Sequence, residues 1–152
     1  MDLLKKTPLV QLIAPVSHTS LPRTVARLLL GAFLAFAGIA HLTFAREEFV
    51  AQVPEALPFD TDLVVVGSGV VEVALGGALI ALPRRRVAVG WVVAVFFIAV
   101  FPGNISQWLN ARDGFGLDTD AKRFARLFFQ PLLVLAALWS TAAWKERPRR
   151  RR

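Results

Sequence analysis

A chain of 152 residues fits one domain, and at 55% hydrophobic residues with a mean hydropathy of +0.54 it exceeds the range of soluble proteins. Its net charge of +7 is gathered at the ends and in one loop, which reads as a membrane topology signal and argues against a nucleic-acid partner. The absence of cysteine excludes disulfides, CxxC redox chemistry, thiolate zinc sites and cysteine-ligated iron–sulfur clusters, so any electron transfer needs a bound cofactor or a partner.

Residues 1–23 are mixed, with Lys5, Lys6, Pro8, Pro15 and Pro22, and their apolar pieces are too short to span a bilayer. They read as a cytoplasmic segment lying on the membrane surface, with disorder as the alternative. They lack the early apolar run and small-residue cleavage site of a signal peptide. The first predicted span covers 24–44, where Gly31, Ala32, Ala35 and Gly38 make small-residue grooves for close helix packing. His41 shares a face with Gly31, Leu34 and Gly38. Residues 45–62 alternate apolar and charged side chains and carry Pro54 and Pro58. That pattern predicts a short amphipathic helix and a proline-bent segment, together forming a cap in the interface.

The second predicted span, 63–83, is interrupted by a single charge, Glu72, close to its middle. A carboxylate there costs at least ~2.5 kcal/mol by insertion scales, so it should face protein or a wet cavity. Arg84, Arg85 and Arg86 make a tight connection to the third span, 87–108. Pro102 is expected to kink or end that span, and Asn104 to be presented from irregular backbone. A polar loop with Gly114, Gly116 and three aspartates precedes the fourth span, 123–144, which Pro131 should bend. Residues 145–152 are a basic tail.

Together these elements predict an all-α integral membrane four-helix bundle. Lys and Arg are most frequent beside both termini and in the 84–86 turn, which puts both termini on the cytoplasmic side. Depth can then be compared between spans. His41 and Asn104 fall near the outer ends of spans one and three; Ser68, Arg126 and Gln130 fall in the outer parts of spans two and four. Glu72 lies a little over one turn below Ser68. Ser68, Gly69, Glu72 and Gly76 share one helix stripe, and Arg126 and Gln130 share another.

These six polar residues therefore predict an outward-facing pocket for ligand binding or proton handling, with Glu72 as its floor and the Pro54–Pro58 loop as its lid. Arg126 is the expected counter-ion of Glu72. Bland readings stand beside each assignment. The Glu72–Arg126 pair could simply lock the helices. His41 could be an interfacial histidine, and Asn104 the cap of a broken helix. Gly69, Gly76 and Gly77 read as packing glycines. Phe96, Phe97, Phe101, Phe128 and Phe129 read as lipid-facing or core residues, or as walls of a flat-ring pocket. No metal site is predicted.

The runs GIAHLTFAREEFVAQVPEALP, SGVVEVALGGALIALP-RRR and AVFPGNIS, followed by R-x-x-x-Q in the last span, resemble the DoxX family of small four-span bacterial membrane proteins. The resemblance covers 27–139 and rests on order and spacing. It implies a location in the bacterial cytoplasmic (inner) membrane. It also implies the role of an accessory subunit in a membrane redox or oxidative-stress complex, with no intrinsic cofactor and a quinone as candidate ligand. A lipid bilayer, other subunits of a complex and a homo-oligomer are the expected partners. Two other functions compete: a non-catalytic membrane anchor or scaffold, and a small transporter or lipid-handling protein. The absence of an internal repeat argues against alternating access by one protomer.

Overall fold

The structure is a computed structural model that describes residues 19–144. The readings of residues 1–18 and of the basic tail 145–152 lie outside the described residues. Within them the chain is all-helical, with no strand. Helix α1 spans Leu21–Leu42, α2 Arg46–Val50, α3 Thr61–Ala81, α4 Arg86–Leu109, α5 Asp120–Leu127 and α6 Phe129–Ser140; a 3-10 turn, Pro83–Arg85, joins α3 to α4.

Three helical segments, Leu21–Leu42, Thr61–Ala81 and Pro83–Leu109, are long and apolar enough to cross a membrane. Their outer faces carry exposed large side chains such as Leu29, Phe33, Val70, Val95 and Ile98. A water-facing surface would not carry such a belt, and it is consistent with a membrane protein.

Helix boundaries follow local chemistry. α1 starts at Leu21, three residues before the expected 24, because Pro22 sits in the first turn, where its missing N–H would have no partner. Asp60 caps α3 by accepting from the Leu63 N–H at 2.9 Å, and Thr119 caps α5 by accepting from the Lys122 N–H at 3.3 Å. One proline expectation is corrected, and the bend expected at Pro131 is found as a break one turn before it. α4 runs unbroken through Pro102 to Leu109, so Asn104 stands on regular helix and does not cap a broken end. The predicted continuous span 123–144 is instead two helices divided at Phe128, whose N–H turns back to Ala125 in a 3-10 step. Pro131 then occupies the first turn of α6, where it displaces no helical hydrogen bond.

α1 packs along α3, α4 along α6, and α1 also meets α6. Successive long helices run antiparallel. One end, here the loop end, carries the α1–α3 and α4–α5 connections; the other, the turn end, carries Pro83–Arg85. Toward the turn end the helices close on a core of Leu30, Leu34, Leu79, Val93, Ala94, Phe97 and Ala137.

The α1–α3 seam is backbone against backbone. A Cβ on Gly38 would lie 2.5 Å from the Gly69 carbonyl, and one on Gly76 would lie 2.6 Å from both the Ala35 nitrogen and the Gly31 carbonyl. Gly69 is likewise closed off by His41 Cβ at 2.6 Å. These are packing glycines, as expected; Gly77, expected to be another, has nothing within 4 Å.

Candidate functional site

Toward the loop end the two helix pairs diverge around a cavity of about 890 Å³. All six polar residues singled out in the sequence line it: His41 from α1, Ser68 and Glu72 from α3, Asn104 from α4, Arg126 from α5 and Gln130 from α6. Pro54 and Leu57 line it too, whereas Pro58 does not, so only part of the expected lid reaches the cavity. Of the five phenylalanines proposed as pocket wall, Phe97 alone contributes.

Glu72 is 9% exposed. Its partner is not the expected Arg126: the Nε2 atom of His41 stands 3.4 Å from Glu72 Oε2, and no ion pair joins Glu72 to Arg126 among the described residues. The contact does not reach hydrogen-bond geometry, and Oε2 has no hydrogen-bond partner. The other face of the imidazole is fixed. Nδ1 lies 2.9 Å from Ser68 Oγ and 3.2 Å from the Val65 carbonyl, to which Ser68 Oγ itself donates at 2.9 Å.

A carbonyl can only accept, so Nδ1 carries a proton. Nε2 of a neutral ring would then turn a lone pair toward a carboxylate. The arrangement is favourable only if one proton sits on Nε2 or on Glu72. Sequence reasoning missed this pairing because the azimuth of His41 depends on how closely Gly38 and Gly69 bring the helices together.

Arg126 is placed differently. Its guanidinium lies over the Phe115 ring, with Cζ 5.3 Å from the centroid. Among the described residues it makes no hydrogen bond or ion pair, so its donors are available to the cavity. Phe115 in turn meets Phe49 edge-on, with centroids 4.6 Å apart, and Phe49 lies tilted against the His41 ring. An aromatic chain thus runs from His41 to Arg126 across the roof of the cavity.

Phe115 was not singled out in the sequence, although an aromatic residue between Gly114 and Gly116 in a polar loop is a visible signal. It adopts φ +56°, unusual for a bulky side chain, and its N–H donates to Glu48 Oε2 at 2.5 Å. Further ties join the two connections at the loop end. Arg112 donates to the Val53 carbonyl at 3.0 Å and pairs with Glu55, and buried Arg123 holds Asp120 at 2.8 Å, Asp113 at 2.5 Å and the Arg112 carbonyl at 3.2 Å. In the same loop Lys122 donates to Asp118 at 2.6 Å, which keeps that carboxyl below the usual carboxylate range.

On the α4–α6 side, Gln130 Nε2 donates to the Phe97 carbonyl at 2.6 Å, and Gln130 Oε1 accepts from Asn104 Nδ2 at 3.0 Å. This cross-link ties α6 to α4 on either side of Pro102. Gln130→Leu should therefore orphan both the Asn104 amide and its share of the Phe97 carbonyl. We expect a loss of about 1–3 kcal/mol of stability, read as a lowered unfolding midpoint in detergent.

No His, Cys, Asp or Glu group suited to a metal ion occurs among the described residues. No curated protein and no solved structure matches the chain. A family model described as "Domain of unknown function (DUF8561)" matches residues 30–141, which take in most of the helical region and every residue of the cavity named above, and the chain belongs to that family.

Proposed function

We propose that this chain is a DoxX-like accessory subunit of a membrane redox or oxidative-stress complex, and that its cavity binds a quinone-like head group. In this reading α5 and α6 together make a fourth crossing. The four spans then form a bundle in a bacterial inner membrane, with both termini on the cytoplasmic side, where Lys and Arg are concentrated.

The observation that carries the proposal is the convergence of the buried His41–Glu72 pair and the Arg126 guanidinium on one aromatic-walled cavity. His41 and Glu72 can give or take a proton, and Arg126 can donate to a carbonyl oxygen. A quinone has this chemistry: two acceptor oxygens on a flat ring that take up protons when electrons arrive. Electrons would come from a partner subunit, because no cysteine-based redox centre can form here.

Glu72→Gln keeps the shape of the side chain and removes the exchangeable proton. Quinone-dependent turnover of the purified complex should fall by about two orders of magnitude or more, the usual scale of a lost proton-transfer group, while insertion and folding persist. Unchanged turnover would sink the proposal.

A second reading, a non-catalytic anchor, is favoured by the His41–Ser68–Val65 hydrogen bonds, which join α1 to α3 without any ligand. It predicts instead that the variant complex remains fully active.

A further inference from the structure

The wall of the cavity is not equally thick all round. On α3 its lining residues are buried or half-buried, but Phe33 and Phe36 of α1 are 53% and 61% exposed while lining the same space. Ala99 and Pro102 of α4 also line it and are exposed. Phe33 and Ala99 sit near the middle of their helices, each a segment long and apolar enough to cross a membrane. An opening at that depth faces hydrocarbon, not water. At the loop end, by contrast, the approach from water is crossed by the Glu48–Phe115, Arg112–Glu55 and Arg112–Val53 ties.

We infer that the cavity is loaded sideways from the bilayer, through a mid-span window bordered by the exposed lining residues of α1 and α4, by a single-tailed amphiphile whose head presents an acceptor oxygen to Arg126. The apolar lower part, with Phe33, Leu34, Ala37 and Leu133, takes the tail. Among the described residues, the upper part holds the only guanidinium lining the cavity, and it has no ion pair or hydrogen bond of its own. A guanidinium in such a setting favours a carboxylate or a carbonyl over an apolar group. The inference rests on the cavity being a binding site, but not on its ligand being a quinone.

The native chain has no cysteine, so each route can be closed by cysteines introduced for that purpose. Ala99→Cys, reacted with N-cyclohexylmaleimide after the full chain has been reconstituted in phosphatidylcholine nanodiscs, blocks the window without asking the plug to survive folding. Ala51→Cys with Gly114→Cys can close the loop end, because a Cβ on Gly114 would lie 3.2 Å from Ala51 Cβ, near disulfide range. Two probes are offered from donor vesicles, deuterated stearic acid and decylubiquinone, and retained probe is counted by mass spectrometry against empty nanodiscs and against Arg126→Met.

The expected result is loading at least about tenfold slower after maleimide labelling, no change on forming the disulfide, and about tenfold less stearate retained by Arg126→Met. Stearate retained without the quinone, its loading slowed by the maleimide, would uphold the sideways route and remove the quinone reading. Loading blocked by the disulfide, loading indifferent to the maleimide, or no retention of either probe above empty discs would each overturn the inference.

Discussion

Gly76→Ala should destabilise the protein severely, while the neighbouring Gly77→Ala should leave it unchanged or slightly more stable. Both residues lie in the same apolar run of α3, and sequence alone reads both as packing glycines. The structure separates them by what a methyl group would meet. At Gly76 it would fall 2.6 Å from two backbone atoms of α1, the Ala35 nitrogen and the Gly31 carbonyl. Neither can swing aside as a side-chain tip can, so the helices must separate along a seam where Gly38 and Gly69 are just as closely apposed. Overpacking of this kind costs about 1–3 kcal/mol, and separation also loosens the contact that holds His41 against Ser68. At Gly77 nothing lies within 4 Å, and alanine gains about 0.5–1 kcal/mol of helix propensity. Unfolding midpoints of the two variants in one detergent should therefore shift in opposite directions, or the second not at all. Equal losses at both positions would mean that α1 and α3 do not pack on this seam.

What could be read in the sequence, and what could not, divides along the same line. Long apolar runs bounded by charges and prolines locate the three long helices within a few residues, because crossing a bilayer leaves little choice of composition. The shared depth of His41, Ser68, Glu72, Asn104, Arg126 and Gln130 was legible too, since helical rise is fixed and the connections are short. Which of them touch was not legible. A partner for Glu72 depends on the rotation of each helix about its axis and on which side chain can be stretched across the gap. Arg126, the obvious opposite charge, lies instead on Phe115, whose position is set by a loop with no periodicity and by a left-handed backbone held by Glu48. Pro102 misled for a related reason: a proline costs a helix one backbone hydrogen bond, and packing along α6 can outweigh that local loss.

The exchange of Arg126 for His41 as the partner of Glu72 has a measurable consequence. If Glu72 and Arg126 formed a buried pair, neutralising one would strand the other, and neutralising both would restore stability. With His41 as the partner, that compensation belongs to a different pair. His41→Leu alone leaves a buried carboxyl without a neighbour at Oε2, and it also frees Ser68 Oγ and the Val65 carbonyl from Nδ1. The expected loss is about 3–5 kcal/mol if the carboxylate stays charged, and less if it takes up a proton. Adding Glu72→Leu should recover a large part of that loss, giving a coupling of about 1–3 kcal/mol between positions 41 and 72. The same cycle run with Arg126→Met and Glu72→Leu should give additive effects, because the guanidinium stands on an aromatic face and not on the carboxylate. The contrast also separates folding from function. Arg126→Met should leave the unfolding midpoint nearly intact while removing the one guanidinium that lines the cavity, so a large drop in ligand retention with little loss of stability would mark Arg126 as a residue kept for binding. A strong 72–126 coupling with none between 41 and 72 would return Arg126 to the role of a structural lock.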